Sequence, residues 1–247
     1  MAASAIATPI RFHFHVVRSR IEVLCHQRYT ARHLKPTMRS KKTAVSADGD
    51  RAAVIYQKAA QLIHQKGYDA TSMNDIAAAV DLTKAGLYYY IRGKQELLFR
   101  IMNYGMDRLE EEVIEPARAA ADPEERLRTV IARHVRLLAG GIGAVSILMD
   151  EEAGLGSKER RQIRKRKRAY FDFLRETVVA LKEKGKLGDL DPTAATFGLF
   201  GMILWLPRWY DPSGALSADR LAKQITTLAF RGLLGDSSCA ERFPQSQ

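Results

Sequence analysis

Cysteine is nearly absent from this chain: Cys25 and Cys239 are the only two, far apart and without metal-type spacing. A disulfide framework and a cysteine-rich zinc site are therefore excluded as the basis of the fold. The usage suits a reducing compartment, so a cytoplasmic location is expected. Long hydrophobic runs are missing too. The longest candidate, Phe197 to Leu206, has about half of the roughly 20 residues that cross a bilayer and reads as a buried helix, so no membrane association is expected. The first residues, MAASAIATPIRFHFHVV, lack a basic segment followed by a continuous apolar run, which argues against a secretory signal. Alternating strand patterns, internal repeats and heptad runs are also lacking, which leaves an all-α chain.

Catalytic constellations are equally scarce. Asp150-Glu151-Glu152 gathers three carboxylates, but consecutive residues on a helix point apart and serve paired acid–base work poorly. Ala153-Gly154-Leu155-Gly156 lacks the preceding strand that a phosphate-binding glycine loop requires. No Ser/His/Asp arrangement or metal-ligand spacing stands out. Neither an enzyme nor a cofactor is expected.

What the chain has is length, apolar content and positive charge. Its 247 residues, 46% apolar, can bury a substantial core in one large or two modest domains. The net charge of +11 is unevenly spread. Up to Lys42 there are nine basic residues against Glu22 alone, so that segment carries +8 and the remainder only +3. Basicity is therefore weak support for nucleic-acid binding by the folded part. The stretch up to about Asp50 shows no helical or strand period. Three readings stay open for it: a disordered basic arm, a targeting segment, or a translated upstream stretch with the true start at Met38.

Helix signals then follow one another closely. Asp50 can cap a first helix with an apolar stripe at Ile55, Ala59, Leu62 and Ile63, ended by Gly67 as a C′ glycine. Thr71 offers a hydroxyl to cap the next helix. Gly93 and Glu96 open a long helix to about Ala120, and Asp122-Pro123 caps another that runs to about Ala139. A short apolar helix (144–152) and one capped by Ser157 and ending near Lys184 come next. Asp191-Pro192 starts an eighth helix, apolar nearly all round, and Ser217 caps a ninth lined by Leu221, Ile225, Leu228 and Leu233. The expected divisions are a basic extension (1–49), a three-helix head (50–97), a helical ligand-binding and dimerisation domain (98–235) and a tail (236–247).

The stretch from Thr71 to Ile91, TSMNDIAAAVDLTKAGLYYYI, is the focus. Met73, Ile76, Ala77 and Val80 form one short apolar face, Asp81-Leu82-Thr83 interrupts it, and Leu87 and Ile91 resume it. Two short helices joined so tightly make a helix-turn-helix, whose second helix enters the DNA major groove. Thr83 can cap that second helix and offer its hydroxyl and backbone N–H to a phosphate, and Lys84 adds charge there. Tyr88, Tyr89 and Tyr90 cannot all be core, because successive helical residues diverge by about 100°. The blander alternative is a helical ligand-binding or scaffold protein whose hairpin is only structural.

Thr71-Ser72-Met73 to Ala77, Leu82-Thr83-Lys84-Ala85-Gly86-Leu87-Tyr88-Tyr89-Tyr90 and Lys94-Gln95-Glu96-Leu97-Leu98 together resemble the signature of TetR-family transcriptional regulators, over about residues 52–99. Ile91 stands where the family usually has Phe, and Gly93 where Ser often caps the next helix. The resemblance implies a nine-helix homodimer on a palindromic double-stranded operator. It places Tyr68, Thr71 and Lys94 near phosphate, and Thr83, Lys84, Gly86, Tyr88, Tyr89 and Tyr90 in or beside the groove. Less specifically, Glu151 to Arg168 and Phe197 to Ser217 resemble a subgroup tied to lipid or acyl-CoA metabolism.

The all-round apolar eighth helix must be covered on every face. A two-fold bundle of the last two helices would cover it, with Phe197, Gly198, Gly201, Trp205, Leu221, Ile225 and Leu228 as the expected interface. Met102, Met106, His134, Leu138, Ile147, Phe171 and Phe200 are candidates to line a cavity for a small hydrophobic effector, though such residues are more often plain core. The basic run from Arg160 to Arg168 reads first as a solvated face partly paired with Glu159 and upstream acids, and second as an anion site for a nucleotide-bearing ligand such as acyl-CoA.

Overall fold

The computed structural model describes residues 47–141 and 143–234; readings of the extension up to residue 46 and of the tail from residue 236 lie outside them. The described residues hold nine helices and no strand. In chain order they are α1 (Ala47–Lys66), α2 (Met73–Ala79), α3 (Lys84–Tyr90), α4 (Lys94–Leu109), α5 (Pro123–Ala139), α6 (Gly143–Asp150), α7 (Ser157–Glu183), α8 (Pro192–Leu204) and α9 (Ala218–Leu233). The all-α expectation holds.

Most boundaries follow from the residues that mark them. Gly67 ends α1 with φ +86° and donates its N–H to the Ile63 carbonyl, as a C′ glycine does. Asp122, Asp191 and Ser217 cap α5, α8 and α9 with their side-chain oxygens. Three caps differ from expectation. Helix α1 starts at Ala47, so Asp50 lies inside it; the first turn accommodates Gly49 despite its low helix propensity. Gly156, not Ser157, is the N-cap of α7. Ser72, not Thr71, caps α2: its hydroxyl accepts from Asp75 N–H at 3.1 Å, while the Asp75 carboxylate accepts from Ser72 N–H at 2.9 Å. Thr71 is buried and donates its hydroxyl to the Gly67 carbonyl at 2.8 Å.

Helix α4 runs on past Leu109 through a π-helical turn (Glu110–Ile114) into a last turn (Glu115–Arg118). Pro116 has no N–H for the Glu112 carbonyl four residues back, and Arg133 of α5 donates to that oxygen at 3.3 Å. The proline stands directly after the π-helical turn, where Glu115 N–H reaches back five residues to the Glu110 carbonyl, and such a turn is one of the ways a long helix takes up a break in its bonding.

The head packs α1, α2 and α3 around Ile55, Ala59, Ile63, Ile76, Val80, Leu87 and Ile91, all buried. Its core continues without a break into Leu97, Leu98 and Ile101 of α4. Behind it α5 lies against α7 and α9, and α7 against α8. Short α6 is inserted between α1 and α4 with almost nothing separating the backbones. A Cβ on Gly105 of α4 would lie 2.7 Å from the Ala144 carbonyl oxygen, and one on Gly143 would lie 3.2 Å from the Ala60 carbonyl carbon. Gly105→Ala should therefore destabilise the protein by about 1–3 kcal/mol despite alanine's better helix propensity. That corresponds to a melting temperature lower by several degrees, roughly 2–4 °C per kcal/mol in a chain of this size. An unchanged melting curve would show that α4 and α6 separate freely.

Candidate DNA-reading head and effector cavity

The head's two short helices meet through a turn with a full set of backbone bonds. Leu82 N–H returns to the Ala77 carbonyl at 2.9 Å and Asp81 N–H to Ala78 at 3.3 Å, the Schellman pattern. Asp81 holds the left-handed position at φ +56°, where glycine is commonest. This turn aims α3. Thr83 caps it, its hydroxyl oxygen accepting from Gly86 N–H at 3.0 Å. Gly86 is enclosed by that cap, since a Cβ there would sit 3.2 Å from the Thr83 hydroxyl.

Leu87 is the buried anchor of α3, and the outer face carries Thr83, Lys84, Tyr88 and Tyr89. Tyr89 is 85% exposed and Tyr88 42%, whereas Tyr90 packs on the core with its ring edge-to-face against Tyr89 at 5.3 Å. Two of the three consecutive tyrosines thus face outward. Thr71 is the exception among the expected phosphate contacts: burial and its bond to Gly67 leave its hydroxyl nothing to offer, and exposed Ser72 stands beside it instead.

Tyr68 and Lys94 belong to the joint between head and body. Lys94 Nζ sits 4.3 Å over the Tyr68 ring and donates to the Asp69 carbonyl at 3.2 Å. The Tyr68 N–H donates to Glu151 at 3.2 Å, and the Tyr68 ring packs so closely on Gly154 that a Cβ there would lie 2.7 Å away. Partial burial raises the Tyr68 phenol pKa, with Asp69 and Glu151 adding to the effect. Glu152, the next residue, turns the other way and accepts from Lys167 at 2.7 Å and Arg164 at 2.8 Å. Burial works to raise the Glu152 carboxyl, but those two hydrogen bonds outweigh it and hold it below the usual range. Two carboxylates of the acidic cluster thus fasten different parts, Glu151 the head and Glu152 α7.

Between α4, α5, α6, α7 and α8 lies a cavity of about 710 Å³. Met106, Leu109, His134, Val145, Leu148 and Tyr170 form its buried end. Phe171, Phe197, Phe200, Gly201 and Trp205 line the rest, with Lys167, Arg168 and Arg208 supplying positive charge. Four of the expected lining residues are there: Met106, His134, Phe171 and Phe200. Met102 and Ile147 are instead fully buried core, and Leu138 borders a separate hollow of about 20 Å³. Tyr170, Arg208 and the α6 residues Val145, Leu148 and Met149 were not anticipated as lining, because the sequence does not show where neighbouring helices leave a gap; Lys167 entered only as part of the basic run. The basic run is mostly paired, as its plainer reading had it, though not with Glu159. Arg160 donates to the carbonyls of Glu152, Ala153 and Leu155, Arg166 pairs with Asp107 at 2.7 Å, and Arg168 with Asp172 at 2.9 Å.

Of the residues expected at a subunit interface, Phe197, Gly198, Gly201 and Trp205 form, with Ala194, one uncovered stripe along α8. Phe197, Trp205, Trp209 and Leu228 are each more than half exposed, large apolar groups facing solvent in the single chain. Ile225 is half-buried, and Leu221 is buried within the chain's own core, so it has no surface to give.

A helix-turn-helix head carrying outward tyrosines, fused to a helical body with an apolar cavity, defines a ligand-responsive class of DNA-binding regulator. Comparison with known sequences makes this specific. Residues 55–101 match the model of the bacterial regulatory proteins, tetR family, and residues 120–233 that of the tetracyclin repressor-like C-terminal domain. The chain belongs to the TetR family of transcriptional regulators. It is 40% identical to AibR, whose crystal structure is in complex with isovaleryl coenzyme A and operator DNA; the match covers 75% of this chain and 98% of that one, with a TM-score of 0.68. PfmR from Thermus thermophilus is 30% identical over 72% of this chain and 98% of its own, with a TM-score of 0.66. The HTH-type transcriptional repressor KstR2 of Rhodococcus jostii strain RHA1 is 26% identical over 76% of this chain and 93% of its own length. These relatives are regulators, not enzymes. No single helix among the described residues is long and apolar enough to cross a membrane.

Burial in the cavity wall depresses the His134 pKa to about 3. The unfolded chain takes up a proton there near pH 6.5, so this contribution to stability is intact above about 6.5 and lost as pH falls, by about 1.4 kcal/mol per unit. Between pH 6.5 and 5, before the carboxylates titrate, the urea midpoint of the wild type should fall while His134→Phe stays nearly flat. Parallel curves for the two proteins would mean that His134 is protonated in the folded state.

Proposed function

We propose that the protein is a cytoplasmic, homodimeric repressor that binds a palindromic operator through α3 and is released by an acyl thioester of coenzyme A or a similar small hydrophobic ligand. The cavity carries this reading: an apolar, buried end of a size suited to a small acyl group, with Lys167, Arg168 and Arg208 along its wall to meet phosphates. The likeness to AibR, a protein crystallised with both an acyl-CoA and operator DNA, supports the same pairing here.

On the DNA side, Tyr88 and Tyr89 offer rings and hydroxyls to bases or phosphates, and Lys84 and Ser72 flank them. Lys94 and Tyr68 reach phosphate from the joint. A hairpin that was only structural would have no use for Tyr89 at 85% exposure. The uncovered face of α8, continued by Leu228 on α9, pairs two subunits and sets two copies of α3 one helical turn of DNA apart. Release requires that the ligand bind better to a dimer whose heads are wrongly spaced; equal affinity for both spacings would shift nothing. Helix α6 is suited to carry the change, since one side of it is cavity wall and the other touches α1 and α4 directly.

Two measurements test this reading. In fluorescence anisotropy with DNA flanking its own coding region, Lys84→Ala and Tyr89→Ala should each weaken binding by about tenfold or more, with the dimer unchanged by sedimentation. Lys84→Ala should also reduce the salt dependence by about one phosphate's worth. Unaltered affinity in both variants would remove α3 as the reader. Isovaleryl-CoA, or a longer acyl-CoA up to octanoyl, should release the DNA; if no chain length does so, the acyl-CoA effector is wrong.

A further inference from the structure

The cavity's buried end is apolar except at one point. The His134 Nδ1 lies 3.0 Å from the Tyr170 hydroxyl, and both side chains are buried. The other ring nitrogen, Nε2, is fully buried and has no hydrogen-bond partner. The other buried lining residues of this end, Met106, Leu109, Val145 and Leu148, have no side-chain nitrogen or oxygen to offer. A buried polar group without a partner is costly, and native cores rarely keep one. In a ligand cavity it marks the place where the ligand supplies the missing partner.

The tautomer follows from the pair. A phenol is a stronger hydrogen-bond donor than a neutral imidazole N–H, so the Tyr170 hydroxyl donates to Nδ1 and the proton of the neutral ring resides on Nε2. Edge-to-face packing of Tyr170 on Phe200, centroids 5.2 Å apart, fixes the phenol's orientation. What Nε2–H lacks is an acceptor. An ionised carboxylate would bring an unpaired charge into this apolar end, while an alkyl chain brings no acceptor at all. A neutral carbonyl oxygen meets the need.

We infer that His134, held by Tyr170, is the specificity-determining residue of the cavity and that it donates from Nε2–H to the carbonyl oxygen of an acyl ligand. This rests on the reading of the cavity as the effector site. It adds that the thioester carbonyl, and not only the acyl chain and the phosphates, is recognised.

The test pairs isovaleryl-CoA and octanoyl-CoA with their S-alkyl thioethers, which keep the chain and the nucleotide but lack the carbonyl. Calorimetric titration of the wild type should show the better-binding thioester favoured by about tenfold or more over its thioether. In His134→Phe that preference should collapse towards equality, with thioether affinity retained. Long-range ¹H–¹⁵N spectra of the wild type, which need no variant, should show the His134 Nε2 proton moving downfield with thioester and not with thioether. Equal affinity of the wild type for both members of each pair, or a preference that survives in His134→Phe, overturns the assignment and leaves the acyl-CoA effector standing. Binding of none of the four compounds overturns both.

Discussion

Two places where backbone meets backbone with no side chain between them fasten short α6 to α4 and to the head. Gly105 lets α4 touch Ala144, and Gly143 lets α6 touch Ala60 of α1. Close-packed contacts of this kind do not absorb a displacement by changing rotamers; they pass it on. Helix α1 is the back of the head and α4 leads directly out of it, so α6 is wedged between the two elements that set the head's direction. Its other side, Val145, Leu148 and Met149, is cavity wall. An eight-residue helix with no charged side chain before its last residue thus joins the cavity wall to the head, beside α4, which also lines the cavity.

The turn after α6 extends the same connection by electrostatic means. Glu151 holds the Tyr68 backbone N–H and Glu152 holds Lys167, itself a cavity residue that also donates to the Leu148 carbonyl. A ligand phosphate drawing on Lys167 would compete with Glu152 for it. The carboxylate that would be released adjoins the one that fastens the head's joint. Three residues of the basic run on α7 hold this turn: Arg164 and Lys167 through Glu152, and Arg160 by satisfying three carbonyls around it. The run remains a solvated face at Arg161, Arg164, Lys165 and Arg168, while Arg160, Arg166 and Lys167 are half-buried against their partners.

What could be read from the sequence was what neighbours along the chain decide. Gly67, Asp122-Pro123, Asp191-Pro192 and Ser217 each mark a helix end by local geometry, and all hold. The head was legible for the same reason, since two short helices and their turn are specified within about twenty residues. The choice of Thr71 over Ser72 as a cap failed because both are hydroxyl residues in adjacent places. Only the fold decides which one is turned inward, to the Gly67 carbonyl. The cavity was half legible. Met102 and Met106 are one helical turn apart on α4, yet one is core and the other lines the cavity. Periodicity shows which side of a helix is apolar, not where a second helix leaves a gap.

Helix α8 shows why a helix can be apolar all round without being central. Leu199 and Ile203 face the chain's own core, Phe197, Gly201 and Trp205 line the cavity, and those same three are exposed along the outer stripe with Ala194 and Gly198. The cavity wall and the proposed subunit contact therefore share residues. If a second subunit covers this stripe, ordering of Trp205 and Phe197 by ligand and by partner draws on the same side chains, and the two bindings are thermodynamically linked whatever the sign. A regulator whose heads are spaced by one face of α8 and whose ligand rests on the same helix needs no long relay to couple them. On that reading the coupling to subunit spacing would run through α8 and the coupling to head direction through α6, two helices that line one cavity with His134 and Tyr170.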